Sequence, residues 1–372
     1  MKSNPDNPYP SSYAKAAPAV SAARIADPNK MQRLQNWWEF GDQESPCILA
    51  TIEPDRPSLP QDRDLSGYWT DIDGVMAREM ARIEQTHWLG EAVPFHYIDL
   101  GASAMPCALG ARVEFIDSET IWAHPVFVDI EEALRCRLDP HQPFYQTIIE
   151  LTRRSTQKAP GHHFVAPFAL GGVLDNLIGL CGAETTLTSL LDHKKRIKPV
   201  LKHLQRLWID AFAEIQSLLS ASHPGEGIGW AGIWAPGTTF PLQEDCSYML
   251  SPDCFDEFCL PVLGDLVDFL DYPLYHLDGN RALAHLPSLL RLNRLKAIQW
   301  QPGAGRESIA QWTELIRTIL AHRKSVQIFA RPEEIDDLVQ AVGSRGILIS
   351  CTNITEQEAI KLAERFPQSF CA

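Results

Sequence analysis

Basic clusters are scarce: no run exceeds the group Lys194, Lys195, Arg196 and Lys198, and the formal charge of the chain is −14. Nucleic acid is a disfavoured partner, because phosphates need clustered Lys and Arg. Paired cysteines are missing as well; the nine present lie far apart, odd in number and without repeated spacing. That usage suits a reducing cytoplasm rather than a disulfide scaffold, and it marks most of them as buried thiols. No apolar stretch is long and clean enough to be a membrane span. The most apolar window, 165–183, is broken at mid-depth by Gly171, Gly172, Asp175 and Asn176, so a buried strand running through a loop into a helix is expected there. Residues 1–30 lack a compact apolar signal core, are rich in Pro, Ser, Asn and Ala, and read as a loose arm. Solenoid repeats are absent, and nothing after the arm is low in complexity.

What is present is ordinary globular material, 45% apolar and 22% charged over 372 residues, enough to close a substantial core. A lead-in helix is expected over 31–40. Short apolar runs then mark eight candidate strands at 46–52, 95–100, 163–168, 228–234, 273–278, 297–301, 326–330 and 346–351. Helical spacing fills 184–219, 252–270, 283–292, 308–322 and 332–342 between the later ones. Strict alternation argues for a parallel sheet, and eight units argue for an α/β fold closed as a (β/α)8 TIM barrel over 31–372. The stretch 101–157 breaks the rhythm with a hairpin-like pattern, and it is expected to be an insertion after the second strand that forms a lid over the mouth.

Chemistry concentrates in Tyr272-Pro-Leu-Tyr-His-Leu-Asp-Gly-Asn280. Side chains alternate along a strand, so His276 and Asp278 share one face at its end, the interior of a barrel at the mouth where barrel enzymes react. Cys351 closes the last strand at the equivalent height. Its thiolate would complete a His, carboxylate, thiolate set for Zn2+ with a fourth position open to substrate. The plainer reading leaves His276 and Asp278 as hydrogen-bonded neighbours and Cys351 as a buried thiol. His162 and His163 begin a strand, the wrong end of a barrel for chemistry, and are expected to be structural or surface residues. Around the mouth, Phe168, Trp234 and Trp300 are expected to form an apolar slot for an aryl or quaternary-ammonium methyl donor, with Asp99, Glu244 and Asp245 as polar neighbours. The turn Gly303-Ala304-Gly305 is expected in a substrate loop.

The segment Leu250-Ser-Pro-Asp-Cys-Phe-Asp-Glu-Phe-Cys-Leu-Pro261 followed by the His276-Leu-Asp-Gly-Asn280 turn resembles the core of the uroporphyrinogen decarboxylase superfamily. Ala166-Pro-Phe-Ala-Leu170 followed by Leu190-Leu191-Asp192 is similar to the pattern around its third barrel strand. That superfamily holds porphyrinogen decarboxylases, corrinoid-linked methyltransferases and zinc thiol methyltransferases. Its decarboxylases carry an Arg-rich sequence at the end of the first strand, where this chain has Ile48-Leu-Ala-Thr-Ile52 with Arg56 displaced into a loop. Its methyltransferases hold zinc by His-x-Cys and a later Cys, matched here at His276 and Cys351 with Asp278 in place of the middle Cys.

The resemblance therefore implies a cytoplasmic, zinc-dependent methyltransferase acting on a small methylated molecule, with a corrinoid carried by a partner protein. Zinc would sit on His276, Asp278 and Cys351. His276, Asp278 and Glu244 would be catalytic, and Asp99, Phe168, Trp234 and Trp300 would line the substrate site. Neither membrane nor nucleic acid is implied. The alternatives are a metal-independent decarboxylase of a porphyrin-like or smaller carboxylic acid, and a non-catalytic ligand-binding barrel.

Overall fold

Strands alternate with helices along most of the chain, as the apolar runs predict. The computed structural model describes residues 27–54, 64–219, 225–303 and 308–370. The arm up to residue 26, the loop holding Arg56, and Ala304 and Gly305 lie outside the described residues.

Helix α1 (Pro28–Trp38), capped by Asp27, leads to β1 (Cys47–Ile52). Next come α2 (Leu65–Thr70), α3 (Ile72–Gln85), β2 (His87–Gly90) and β3 (Phe95–Tyr97). The stretch expected to be an insertion holds α4 (Ala104–Ala108), the hairpin β4 (Arg112–Phe115) and β5 (Ile121–His124), and α5 (Pro143–Lys158). Then follow β6 (Phe164–Ala166), α6 (Val173–Cys181), α7 (Ala183–Asp192) and α8 (Lys194–Leu219). A second hairpin, β7 (Glu226–Ile228) and β8 (Ile233–Ala235), precedes β9 (Pro241–Leu242), α9 (Pro252–Phe258) and α10 (Leu260–Phe269). The chain ends through β10 (Leu274–Asp278), α11 (Leu286–Leu290), β11 (Ala297–Gln301), α12 (Thr313–Ala321), β12 (Ser325–Phe329), α13 (Ile335–Val342), β13 (Ile347–Cys351), α14 (Glu356–Arg365) and α15 (Pro367–Phe370).

Seven strands form one sheet in the order β2-β1-β13-β12-β11-β10-β9, parallel except for β2 against β1. The pairs β3-β6, β4-β5 and β7-β8 are separate ladders. A hydrogen-bonded closed barrel is thus not formed among the described residues, contrary to expectation. Proline supplies part of the reason: Pro167 directly follows β6 and has no N–H with which to extend a ladder there. Burial nonetheless runs across the ladders. One inner cluster joins Leu49, Phe95, Phe164, Ile228, Leu274, Ala297 and Leu348, whereas Ile48, Leu277, Ile298, Val326, Ile347 and Ile349 pack in the larger cluster shared with the helices.

Helix α1 plugs one end of the inner cluster. Trp37 Nε1 donates to Gly346 O at 3.1 Å and Trp38 Nε1 to Trp234 O at 2.8 Å, and both indoles are buried. Val326 O and Gly346 O, the acceptors of Trp37, stand at the starts of β12 and β13, so the C-terminal ends of those strands face the opposite end.

Two expectations change here. Helix α5 joins β3 to β6 and packs on α3 and α8, so it belongs to the strand-helix rhythm and the lid candidate contracts to the segment before it. The strand expected over 228–234 is a hairpin that turns back. Gly232 sits at φ +66, which only glycine adopts at little cost, and a Cβ at Gly229 would meet the Tyr97 ring carbons at 2.8 Å.

Candidate functional site

A cavity of about 330 Å³ opens among the C-terminal ends of β3, β6 and β10 and the turn of the β7-β8 hairpin. Tyr97, Asp99, Phe168, Trp230, Asp245 and His276 line it, and Glu119 reaches it from the loop between β4 and β5. Among the described residues, no Lys or Arg lines it.

His276 is held in one tautomer. Gln299, its register partner on β11, donates Nε2 to Trp300 O at 2.9 Å and so turns Oε1 toward the imidazole. A carbonyl oxygen only accepts, so His276 Nδ1 must carry the proton and Nε2 is left as the basic nitrogen. Burial lowers the His276 pKa, keeping the ring neutral, and the Trp230 ring braces it edge-on with centroids 5.2 Å apart.

Asp245 has the opposite perturbation. Its side chain is open to the water of the cavity, yet desolvation in the cleft, then the charges of Asp175 and Asp278, push its carboxyl up to about 7. Gln243 Nε2 donates to it at 2.9 Å. A neutral imidazole and a carboxyl titrating near 7 on the same cavity form an acid-base pair for work near neutrality.

Behind Asp245 lies a buried clasp. Glu244 accepts from Val173 N and Leu174 N, both at 3.0 Å, which caps α6. Asp175, on that helix, accepts from Asp245 N at 2.7 Å and Cys246 N at 2.8 Å, which caps the short 3-10 helix Asp245–Met249. Each carboxylate therefore satisfies the first backbone donors of the other's helix. Among the described residues, Asp175, Glu244 and Cys246 are the group whose ligand atoms come within 4.8 Å of one another. Their oxygens are spent on the caps, and burial with two neighbouring carboxylates drives the Cys246 thiol far up, away from the thiolate a metal needs. The cluster fits a structural clasp.

The zinc set expected from sequence is not assembled. His276 and Asp278 share the inner face of β10, as alternation predicts. Cys351 instead follows Ile347 and Ile349 onto the helix side of β13, while Leu348 and Ser350 point inward. Its thiol donates to Ala330 O at 3.1 Å, and burial pushes it up to about 12.

Other site residues divide in the same way. Asp99 and Phe168 line the cavity, and Asp99 Oδ1 accepts from Gly101 N at 2.9 Å in a local turn. Trp300 faces the helices, edge-on to Trp312, because its neighbour Gln299 takes the inward position. Trp234 is carried back toward Trp38 by the second limb of the hairpin. Glu244 is fully withdrawn behind the cavity wall. Trp230 and Tyr97 were not singled out from sequence; the signal was an aromatic residue between Gly229 and Gly232, where a turn exposes it. His163 is buried: its Nε2 meets Ser155 Oγ at 2.9 Å, and that hydroxyl meets His96 Nδ1 at 2.7 Å.

No protein-family model matches the chain, and no curated protein matches it. Among solved structures it is similar to a methyltransferase from Methanosarcina mazei, with a TM-score of 0.59 at 10% identity, over 91% of this chain and 99% of that one. This is a likeness of fold.

Proposed function

We propose that this chain is a cytoplasmic methyltransferase of the uroporphyrinogen decarboxylase superfamily, built on the (β/α)8 plan, that moves a methyl group between a small substrate and a corrinoid carried by a partner protein. One observation carries the reading: on a fold like that of a methyltransferase, His276 and Asp245 face a cavity of small-ligand size at strand C-terminal ends. The corrinoid would supply cobalt as donor or acceptor of the methyl group. At about 330 Å³ the cavity lies at the lower end of the small-ligand range, so it suits the substrate and leaves a macrocycle at the rim.

The chain's own residues supply binding and proton handling. When a methyl group leaves oxygen or sulfur, the bonding pair stays on that atom and protonated Asp245 donates to it. In the reverse direction the Asp245 carboxylate takes that proton back from the attacking atom, and His276 Nε2 accepts a hydrogen bond from the same hydroxyl or thiol and orients it. Aromatic walls exclude water and hold the substrate in line. Zinc is not part of this reading, since Cys351 faces away from His276. Decarboxylation of a polycarboxylate is less supported, because among the described residues no cationic side chain lines the cavity.

The test is optical. The purified chain is mixed anaerobically with cob(I)alamin and a panel of methylated amines, ethers and thioethers. Methylcobalamin should form with at least one donor class, and no more than background with Asp245→Ala. A folded wild type that transfers from none of them would reject the reading in favour of a binding protein.

A further inference from the structure

A second, smaller cavity lies beside the first. Its volume is about 80 Å³, and it sits against the C-terminal ends of β1 and β13, where Leu49, Thr51, Ser350 and Thr352 border it together with Arg82. Both cavities take in the turn of the β7-β8 hairpin. Among the described residues, Gly229 and Trp230 are the two that line both spaces. Glycine has no side chain, so the half-buried indole of Trp230 is the side chain that stands between them.

The backbone fixes where that indole stands. The first limb of the hairpin is pressed onto β3: a Cβ at Gly227 would come within 1.9 Å of the Phe95 ring, and one at Gly229 within 2.5 Å of Tyr97 Cβ. The second limb is held from the other side, where Trp38 Nε1 donates to Trp234 O at 2.8 Å. With both limbs anchored, removing the indole would leave a void and would not draw the turn inward, because packed surroundings relax only in part. The spaces on its two sides also differ in chemistry. Tyr97, Phe168 and Phe240 make the larger one aromatic. The smaller carries the hydroxyls of Thr51, Ser350 and Thr352, and its Arg82 is already engaged by Glu79 and Phe95 O.

We propose that Trp230 is the specificity-determining residue of this site. Its indole closes the larger cavity against the smaller and restricts the ligand to a compact molecule, a single ring or a short chain. A smaller side chain at this position joins the two spaces and admits a longer molecule whose polar tail reaches the hydroxyls beyond. The proposal rests on the methyl-transfer reading for the ligand's role as methyl donor, while the partition rests on the geometry of the two cavities. Trp230 also braces His276, so its loss weakens ligands of every length together. A supporting role is blind to ligand length and a partition is not, so the ratio of a short to a long ligand isolates the partition.

Calorimetric titration of the full chain with anisole and with 4-(4-methoxyphenyl)butan-1-ol compares a compact methyl ether with one that carries a hydroxyl-ended tail. The wild type should prefer anisole by about tenfold or more, and Trp230→Ala should shift the ratio by about tenfold or more toward the longer ether, the scale on which closed pockets discriminate by size. Trp230→Phe, which keeps a ring in place, should stay within about threefold of the wild-type ratio. An unchanged ratio in folded Trp230→Ala, or binding of neither ether by either protein, would overturn the proposal. Should Trp230→Ala misfold, Trp230→Leu carries the comparison, with the same expected direction and the same refutation. Methylation of cob(I)alamin by the same two ethers separates the claims. A shifted binding ratio with no methyl transfer from any donor sinks the enzymatic reading alone, whereas methyl transfer with an unshifted ratio sinks the partition alone.

Discussion

Asp245 holds a carboxyl whose folded pKa, about 7, lies above its ordinary value of 3.8. The folded state therefore keeps a proton that the unfolded chain releases, and the stability linked to it is full below pH 4 and lost as pH rises to about 7. Burial in the cleft, then Asp175 and Asp278, oppose its charge, while Gln243 donates to its carboxylate. Asp245→Asn should raise Tm relative to wild type, with a gain that grows between pH 4 and pH 7 and is constant above. Thermal melts across that range check it. A gain independent of pH would mean that Asp245 does not titrate in this window.

At the scale of elements, the clasp between α6 and the 3-10 helix Asp245–Met249 fixes where Asp245 stands. Truncating Glu244 leaves Val173 N and Leu174 N buried without acceptors, a cost of about 1–3 kcal/mol. Denaturant unfolding of Glu244→Ala should show that loss. Unchanged stability together with abolished turnover would restore Glu244 as a catalytic group. The sequence exposed part of this organisation. Period-two alternation placed His276 and Asp278 on one face because β10 mixes polar and apolar residues. It could not phase β13, where Ile347, Leu348 and Ile349 are apolar on both faces, as parallel strands covered on both sides are; only pairing with β12 and β1 shows that Ser350, not Cys351, points inward. Helix α5 was legible in Phe144, Ile148 and Leu151 at helical spacing after Pro143, but the hairpin before it drew the whole stretch into one insertion. The β7-β8 turn was written in Gly229 and Gly232 and hidden by the apolar run around them.

Across the whole molecule, structure is asymmetric from end to end. Trp37 and Trp38 close the end where strands begin, and their indole donors are satisfied by backbone carbonyls. Acidic and aromatic residues collect at the other end, where backbone turns such as Gly279, at φ +78, follow the strands. Stability and chemistry are thereby separated along the strands, which is how barrel-like α/β folds carry varied reactions on one scaffold. The separation has a direct test in methyl transfer to cob(I)alamin measured side by side on the wild type, Asp245→Asn and Cys351→Ala. Asp245→Asn should lose about 100-fold or more in rate, the scale of a lost proton-transfer group, while Cys351→Ala stays within about twofold. A Cys351→Ala protein that is folded but inactive, beside an active Asp245→Asn, would contradict the account and return the thiol to the centre of the site.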